Sequence, residues 1–284
     1  GYNAEGHPVL HGVSMNRFLD EACTTPSADT DWFKETTRTG LIQNYNVSAS
    51  AGNSKGNSFF SLGYYKNLGI IKHIDFDRFS ARVNTEYNLI DNILTVGEHF
   101  TLNRTTEVSA PGGFLQNVLQ FNPSLPVYTI DGEFGGPVGG YPDRHNPVAV
   151  LERNKDNRYT YWRMFGDAYL NLNPFKGFNV KTTFGIDYAQ KAQRIFTYPV
   201  TEGNVATDKN AVEAKQEHWM RWMWNAVATY NFEVGKHRGD AMAGIELNRE
   251  STQYFSGYRE DYTILTPDYM WPDAATGVEK ATGS

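Results

Sequence analysis

The alternation of apolar and polar residues is most regular between Arg78 and Leu89. Successive side chains of a β-strand point to opposite faces, so this alternation predicts a strand with one apolar and one polar face. The apolar parity holds Phe79, Ala81, Val83, Thr85, Tyr87 and Leu89, and the polar parity holds Arg78, Ser80, Arg82, Asn84, Glu86 and Asn88. The stretch is longer than the usual strand of about 5–6 residues and satisfies the roughly 9–11 that a tilted strand needs to cross a bilayer. Taken alone, it fits either a barrel wall between lipid and a wet lumen or a soluble sheet with one solvated face.

The same alternation recurs along the chain and groups into four hairpins between residues 41 and 251. Each hairpin closes through a short turn, at Gly52–Asn57, Ile90–Ile93, Asn173–Gly177 and Glu233–Gly239. The connections at the other end are long, above all those at 105–158 and 189–218. This asymmetry is typical of outer-membrane barrels, whereas a soluble sandwich has comparable connections at both ends. The sequence therefore predicts an all-β fold, with about eight antiparallel strands forming a segment of a transmembrane β-barrel wall.

The flanking residues lack this alternation. Residues 1–40 are predicted to form a lead-in of loops and short helices, with weak helical spacing at Met15–Ala22. A helix start is predicted at Trp32, with Thr30 or Asp31 as its N-cap. Another short helix is predicted at Phe114–Phe121, inside the first long connection. Residues 252–284 are aromatic and polar without a clear period, and are predicted to be an extracellular loop or tail.

Composition restricts the possible partners. The chain has 26 basic and 32 acidic residues and a net charge of -6, which gives no electrostatic reason to expect nucleic acid. Its 17 Tyr, 17 Phe and 26 Gly favour a β-rich chain with many turns. With one cysteine, Cys23, neither an internal disulfide nor a thiolate zinc site is expected. No signal peptide or membrane-spanning helix is expected, and a mean hydropathy of -0.53 is compatible with a barrel because half of each strand faces water.

No strong catalytic motif is found. Gly135–Gly140 does not lie between a strand and a helix, as a nucleotide-binding loop would. His7 and His11 are the best-spaced histidine pair, but their stretch contains a proline and is not helical. Asp75 and Asp77 could form half of a calcium or carboxylate-pair site, although a solvated loop is the simpler interpretation. Hydrolysis by a carboxylate pair depends on spatial geometry that a sequence does not give. We expect no enzymatic activity, no metal and no cofactor.

A family resemblance rests on an ordered series of short segments. They are Thr30–Phe33, Thr39–Ser48, Gly52–Asn53, Ser61–Tyr65, Gly69–Ile71, Arg78–Asn84, Pro126–Tyr128, Asp131–Gly132, Asn146–Ala149 and Phe184–Asp187. The series covers most of residues 30–250, and its order is more specific than any one segment. It resembles the SusC/RagA family of TonB-dependent outer-membrane transporters.

The resemblance implies a barrel of about 22 strands, of which this chain would supply about eight. It also implies an N-terminal plug, energy from the TonB complex, and a SusD-like surface lipoprotein that acts as a lid. The cargo of such transporters is oligosaccharide or oligopeptide, and the location is the outer membrane of a Gram-negative, Bacteroidetes-like bacterium. No signal peptide, TonB-contact segment, plug or C-terminal aromatic strand end is recognised here. We therefore expect an internal segment, with TonB contacted through the missing N-terminal part.

The resemblance also implies roles for individual residues. The short turns would face the periplasm, and the long connections would face cargo and lid. Aromatic and amide side chains of those connections are candidates for cargo contact, with loop packing or lid contact as the alternative for each: Phe114, Gln116, Asn117, Gln120, Phe121, Tyr128, Tyr141 and Arg144. A second set is expected to face the lumen and form a charge network within the wall or against the plug: Arg78, Arg82, Glu86, Lys181 and Asp187.

Two other functions remain open at this point. One is a soluble secreted β-rich protein that binds carbohydrate or hydrolyses glycans. The other is a passive or structural outer-membrane barrel without an energised plug. The soluble protein would be extracted without detergent, and the passive barrel would have no plug sequence upstream.

Overall fold

The computed structural model describes residues 28–90, 93–129, 132–138 and 140–284. Its helices are α1 (Trp32–Thr36), α2 (Phe114–Gln120), α3 (Pro147–Asn154) and a 3-10 turn at Pro272–Ala274. The strands are β1 (Leu41–Asn53), β2 (Gly56–Leu68), β3 (Asp75–Ile90), β4 (Leu94–Val108), β5 (Tyr159–Phe175), β6 (Phe178–Thr197), β7 (Val200–Glu202), β8 (Val205–Thr207), β9 (Ala211–Val234), β10 (His237–Glu260) and β11 (Glu279–Gly283). The helix considered at Met15–Ala22, the histidines at 7 and 11, and Cys23 lie outside the described residues.

The strands form one open antiparallel sheet in the order β1-β2-β3-β4-β5-β6-β9-β10-β11. Neighbours in sequence are neighbours in the sheet, except that the small β7–β8 hairpin is inserted between β6 and β9. The four hairpins predicted from the sequence are confirmed, and their turns are short. Asn53 accepts hydrogen bonds from the backbone N–H groups of Lys55 and Gly56, and Gly177 and Gly235 supply the positive φ of two other turns.

The two faces of the sheet differ as the alternation predicts. Val83 lies in register with Phe60 on β2 and Phe100 on β4, so apolar side chains form continuous rows across the strands. These rows are open to the surroundings, with Val47 73% exposed. At the end with the short turns, Phe178 stacks on Phe175 at 5.0 Å and lies 6.4 Å from Tyr230. An exposed apolar belt edged by aromatic rings is typical of a barrel wall that meets lipid.

The strands extend beyond the bounds predicted from the sequence. The connection predicted at 189–218 is shorter than expected, because β6 continues to Thr197 and β9 begins at Ala211. β10 continues to Glu260, beyond the predicted end of the hairpins at residue 251. The predicted tail also contains β11, which pairs with residues 255–259 of β10. The extended ends were missed because their apolar side chains pack under another segment: Phe196 and Val212 are buried against Tyr262 and Met270.

A layer of short helices and loops covers the end of the sheet with the long connections. Its main apolar cluster is formed by Trp32, Phe114, Val118, Phe121, Leu125, Val138 and Leu151. The predicted helices at Trp32 and Phe114 are confirmed, and Asp31 caps α1 by accepting from the Lys34 N–H at 3.1 Å. α3, which the sequence reading did not predict, is capped by Asn146. No helix in the described part of the chain has the length and apolar character needed to cross a membrane.

Candidate functional site

A buried carboxylate ties the long connections together. Glu202, on β7, is 0% exposed and accepts a hydrogen bond from the backbone N–H of Asn146 at 2.8 Å. Its Oε1 atom lies 2.5 Å from Arg153 on α3, in an ion pair whose angles are not those of a hydrogen bond. Asn146 in turn donates through Nδ2 to the carbonyls of Val127 and Gly135. One carboxylate and one amide therefore fix α3, β7 and the 127–135 loop relative to each other.

A wide groove of about 780 Å³ opens beside this cluster. Tyr128 and Phe134 form one part of its lining, with ring centroids 5.2 Å apart. Apolar, aromatic and charged groups of both signs complete it: Glu152, Arg153, Lys155, Asp156, Tyr198, Leu265 and Pro267. A groove of this size and mixed chemistry suits a polar oligomer that also presents apolar faces.

The ionisable groups of the groove hold defined protonation states. Burial raises the pKa of Tyr128, with further contributions from the charges of Glu152 and Glu35. Burial, followed by the charge and hydrogen bond of Asp156, raises the pKa of Tyr198 to about 12. Burial acts to raise the pKa of Glu152, but the hydrogen bond from Lys155 and the contact with His73 outweigh it and lower that pKa. At neutral pH the groove therefore presents neutral phenols beside an ionised carboxylate.

The eight candidate cargo residues are not brought together. The side chains of Phe114 and Phe121 are only 5% and 4% exposed, because they form the apolar cluster under the loops. Asn117 donates to the carbonyl of His145, and Tyr141 bonds the hydroxyl of Ser124. Gln116 and Gln120 are exposed on α2, and Arg144 is half-buried. Of the eight, Tyr128 alone lines the groove, and cargo contact by any of them stays a prediction.

The five residues expected to face the lumen share the polar face of the sheet, as their register shows. Asp187 receives two hydrogen bonds from Arg163, at 2.9 and 2.7 Å. Glu86 accepts from the hydroxyl of Tyr169, and the ammonium of Lys181 lies 4.4 Å from the centroid of that same ring. The polar face thus carries a local network within the wall, whereas its contact with a plug stays a prediction.

Arg78 and Arg82 line a separate hollow of about 360 Å³ on this polar face. Arg82 donates from Nε to the hydroxyl of Thr101 at 3.3 Å, and the guanidinium of Arg78 lies 5.9 Å from the ring centroid of Tyr65. The other lining groups are hydroxyls, amides and one aromatic ring: Asn46, Ser61, Ser80, Thr101, Asn103 and Phe165.

Most groove residues were missed by sequence reasoning. Glu152 lies on α3, a helix that was not predicted, and Lys155 and Asp156 follow that helix directly. Tyr198 lies 42 residues from its partner Asp156. One local signal was present: Asn146 followed by Pro147 is the pattern of an N-cap and first helical residue. It would have predicted α3 and placed its charged residues beside the loop layer.

Comparison with known proteins gives a consistent result. The chain is 23% identical over 240 residues to the TonB-dependent receptor P26 of Formosa agariphila, covering 83% of the chain and 24% of the receptor. It is 24% identical over 244 residues to the TonB-dependent receptor SusC of Bacteroides thetaiotaomicron, covering 78% of the chain and 24% of SusC. No family model matches the chain.

Solved structures establish the likeness of fold. The RagAB peptide importer in its open-open state matches 90% of the chain and 29% of the solved chain, with a TM-score of 0.73 and 18% identity. Its closed-closed state matches 97% of the chain and 31% of the solved chain, with a TM-score of 0.72 and 17% identity. The resemblance noted from the sequence is confirmed, and the chain spans about a quarter of the length of the curated relatives it matches.

Proposed function

We propose that this chain, which is SusC/RagA-like in sequence and fold, forms part of the barrel wall of a TonB-dependent outer-membrane transporter. The transporter would import oligosaccharides or oligopeptides together with a SusD-like surface lipoprotein, and would be driven by the TonB complex. The observation that carries this proposal is the exposed apolar belt opposite a polar face, repeated over strands β1 to β6, β9 and β10.

The apolar belt favours a membrane wall over a soluble protein. Side chains such as Val47, Phe60 and Phe184 are exposed in the middle of long strands. Soluble monomers rarely expose contiguous apolar patches larger than a few hundred Å². A soluble carbohydrate-binding or hydrolytic protein would leave this face in water at a large cost in free energy. The other strands of the barrel and its plug would come from residues outside this chain.

Within the transporter, the groove beside Tyr128 is the proposed contact for cargo or lid. Its exposed rings can stack on sugar rings or on peptide side chains. Its paired charges can accept and donate hydrogen bonds to either class of cargo. RagAB, whose fold this chain resembles, is a peptide importer, and this supports oligopeptide as one of the two cargo classes.

Membrane fractionation of the source cells with an antibody against this segment tests the proposal. We expect a band several times heavier than 32.1 kDa in the outer-membrane fraction. A soluble band near 32.1 kDa would contradict it and favour the soluble alternative. An outer-membrane band whose uptake activity survives loss of the TonB complex would identify a passive barrel.

The groove is tested by uptake measurements on the full-length protein. Tyr128→Ala should lower the uptake of cargo or the retention of the lipoprotein, because 39% of this side chain is exposed in the groove lining. Tyr269→Ala is the matched control, because Tyr269 is an exposed loop tyrosine outside the groove. Equal uptake and lipoprotein retention by the two variants would contradict a role for the groove.

A further inference from the structure

The guanidinium groups of Arg78 and Arg82 have no carboxylate partner in the described part of the chain. Elsewhere on the polar face, Arg163 pairs with Asp187, and His99 lies 3.2 Å from Asp167. Arg82 has only the neutral hydroxyl of Thr101 as its hydrogen-bond partner, through Nε, so its terminal N–H groups are left for another acceptor. Both arginines are exposed on the sheet and line the same hollow.

Gly63 makes room for two of the polar side chains that line the hollow. Gly63 lies in register between Asn46 on β1 and Ser80 on β3. A Cβ atom at Gly63 would lie 2.6 Å from the Ser80 hydroxyl and 3.3 Å from the Asn46 amide nitrogen. Because the side chains of Ser80 and Asn46 fill the space beside Gly63, a larger residue there would displace them. Both side chains line the hollow together with the two arginines.

The chemistry of the hollow matches a carboxylate. Guanidinium groups bind carboxylates through planar, charge-assisted hydrogen bonds that are about twice as strong as neutral ones. The hydroxyl of Ser61 and the amide of Asn46 supply further donors beside them, whereas the Ser80 hydroxyl donates to the Gly63 carbonyl. Among the described residues, no cluster of three or more His, Cys, Asp or Glu side chains could hold a metal ion.

We propose that the hollow between Arg78 and Arg82 binds a carboxylate group. The carboxylate has two possible sources, an acidic group on the cargo or an acidic side chain from another segment of the same transporter. The proposal rests on the proposed function in one respect, that the polar face of the sheet lines the transport channel.

Binding to the purified full-length protein tests the cargo source. Two probe pairs are used: tetragalacturonate with its methyl ester, and an octapeptide acid with its C-terminal amide. We expect the acid of at least one pair to bind about tenfold more tightly than its neutral partner, the ratio expected for one charge-assisted hydrogen bond. The double variant Arg78→Gln/Arg82→Gln should lose this preference, and Arg78→Lys/Arg82→Lys should keep most of it. Arg238→Gln, which removes a charge at the exposed β9–β10 turn, should bind as the wild type does.

Thermal unfolding of the same variants tests the second source. If the carboxylate belongs to the transporter itself, no probe pair shows a preference, the Gln double variant melts at a lower temperature, and the Lys double variant restores it. An acid preference that persists in the Gln double variant would overturn the proposal. So would the absence of any preference together with unchanged melting of all variants. A soluble band in the fractionation experiment would contradict the proposed function. A preference of the purified protein for the acidic probes that depends on the two arginines would still support the carboxylate site.

Discussion

Arg153 on α3 and Glu202 on β7 form an ion pair at 2.5 Å, and the Glu202 side chain is completely buried. The second carboxylate oxygen accepts from the Asn146 backbone and lies 3.4 Å from the ring of His145. A buried charge is tolerated only when it is paired and hydrogen-bonded, and here the partners come from a different connection. The two long connections of the wall therefore behave as one folded unit.

Glu202→Gln should loosen this unit. The substitution leaves Arg153 without its partner, and breaking a buried pair in this way costs about 3–5 kcal/mol, with the lower end expected because Arg153 is partly exposed. Hydrogen exchange at the Asn146 amide and along α3 should become faster. Glu152→Gln is the matched control: its carboxylate is partly exposed, and the loss of such a pair costs about 1 kcal/mol or less. Equal exchange in both variants would contradict the role of Glu202.

Gly136→Ala should disturb the same contact from the other side. A Cβ atom at Gly136 would lie 2.1 Å from the Glu202 backbone, so the loops must separate to accommodate it. Such overpacking costs about 1–3 kcal/mol. Gly112→Ala, where no atom lies within 4 Å of the new Cβ, should change the free energy of unfolding by about 0.5 kcal/mol or less. Limited proteolysis of the loop layer distinguishes the two, and resistance of both variants would count against the close approach.

Val83→Arg should destabilise the barrel in its membrane. Val83 lies in the apolar rows between Phe60 and Phe100, and an arginine at the bilayer midplane of a lipid-facing strand costs about 2–4 kcal/mol. Asn84→Arg places the same side chain on the polar face of the same strand and should cost far less. Urea unfolding of the full-length protein in lipid vesicles measures both. Equal costs would show that the two faces are assigned wrongly, and Arg82→Ala should likewise be milder than Val83→Arg.

The contribution of Tyr198 to the stability of the loop layer should be lost at alkaline pH. Burial, with the charge and hydrogen bond of Asp156, raises the pKa of Tyr198 to about 12 from its ordinary value of 10.0. The unfolded chain therefore loses this proton first as the pH rises. The contribution of Tyr198 to stability is complete below about pH 10 and is lost between about pH 10 and 12. In the Tyr198→Phe variant the melting temperature should fall less steeply with pH across this range, whereas Tyr269→Phe should leave the slope unchanged. A wild-type slope in Tyr198→Phe would rule out this origin.

The sequence predicted the middle of the strands better than their ends beside the long connections. Alternation reports a difference between the two surroundings of a strand, and residues such as Val47 and Val83 stand where one face is apolar and the other polar. Beyond the belt, that difference disappears. Gln190 and His218 share the face that is apolar nearer the short turns, as the register of β6 with β9 shows. The strands continue there without the pattern that would reveal them.

The groove was less predictable because its contacts are distant in sequence. Arg153 and Glu202 lie on separate connections, and neither residue has a local pattern that marks it as buried. Phe114 and Phe121 show the opposite problem. Both were candidates for cargo contact because they lie in a long connection, with loop packing as the alternative, and a loop layer of this size builds its own apolar cluster. Aromatic residues in long connections are therefore weak indicators of ligand contact.

The interlocking of these connections has a consequence for how such a protein diversifies. The side-chain amide of Asn146 donates to the carbonyls of Val127 and Gly135, and its backbone N–H donates to the Glu202 carboxylate. A substitution in one connection is therefore judged by its fit to the others, so their sequences should change in concert during evolution. Exchanging one connection between relatives should yield misassembled chimaeras. Transplanting residues 105–158 and 189–218 together should transfer a correctly folded loop layer to a new barrel.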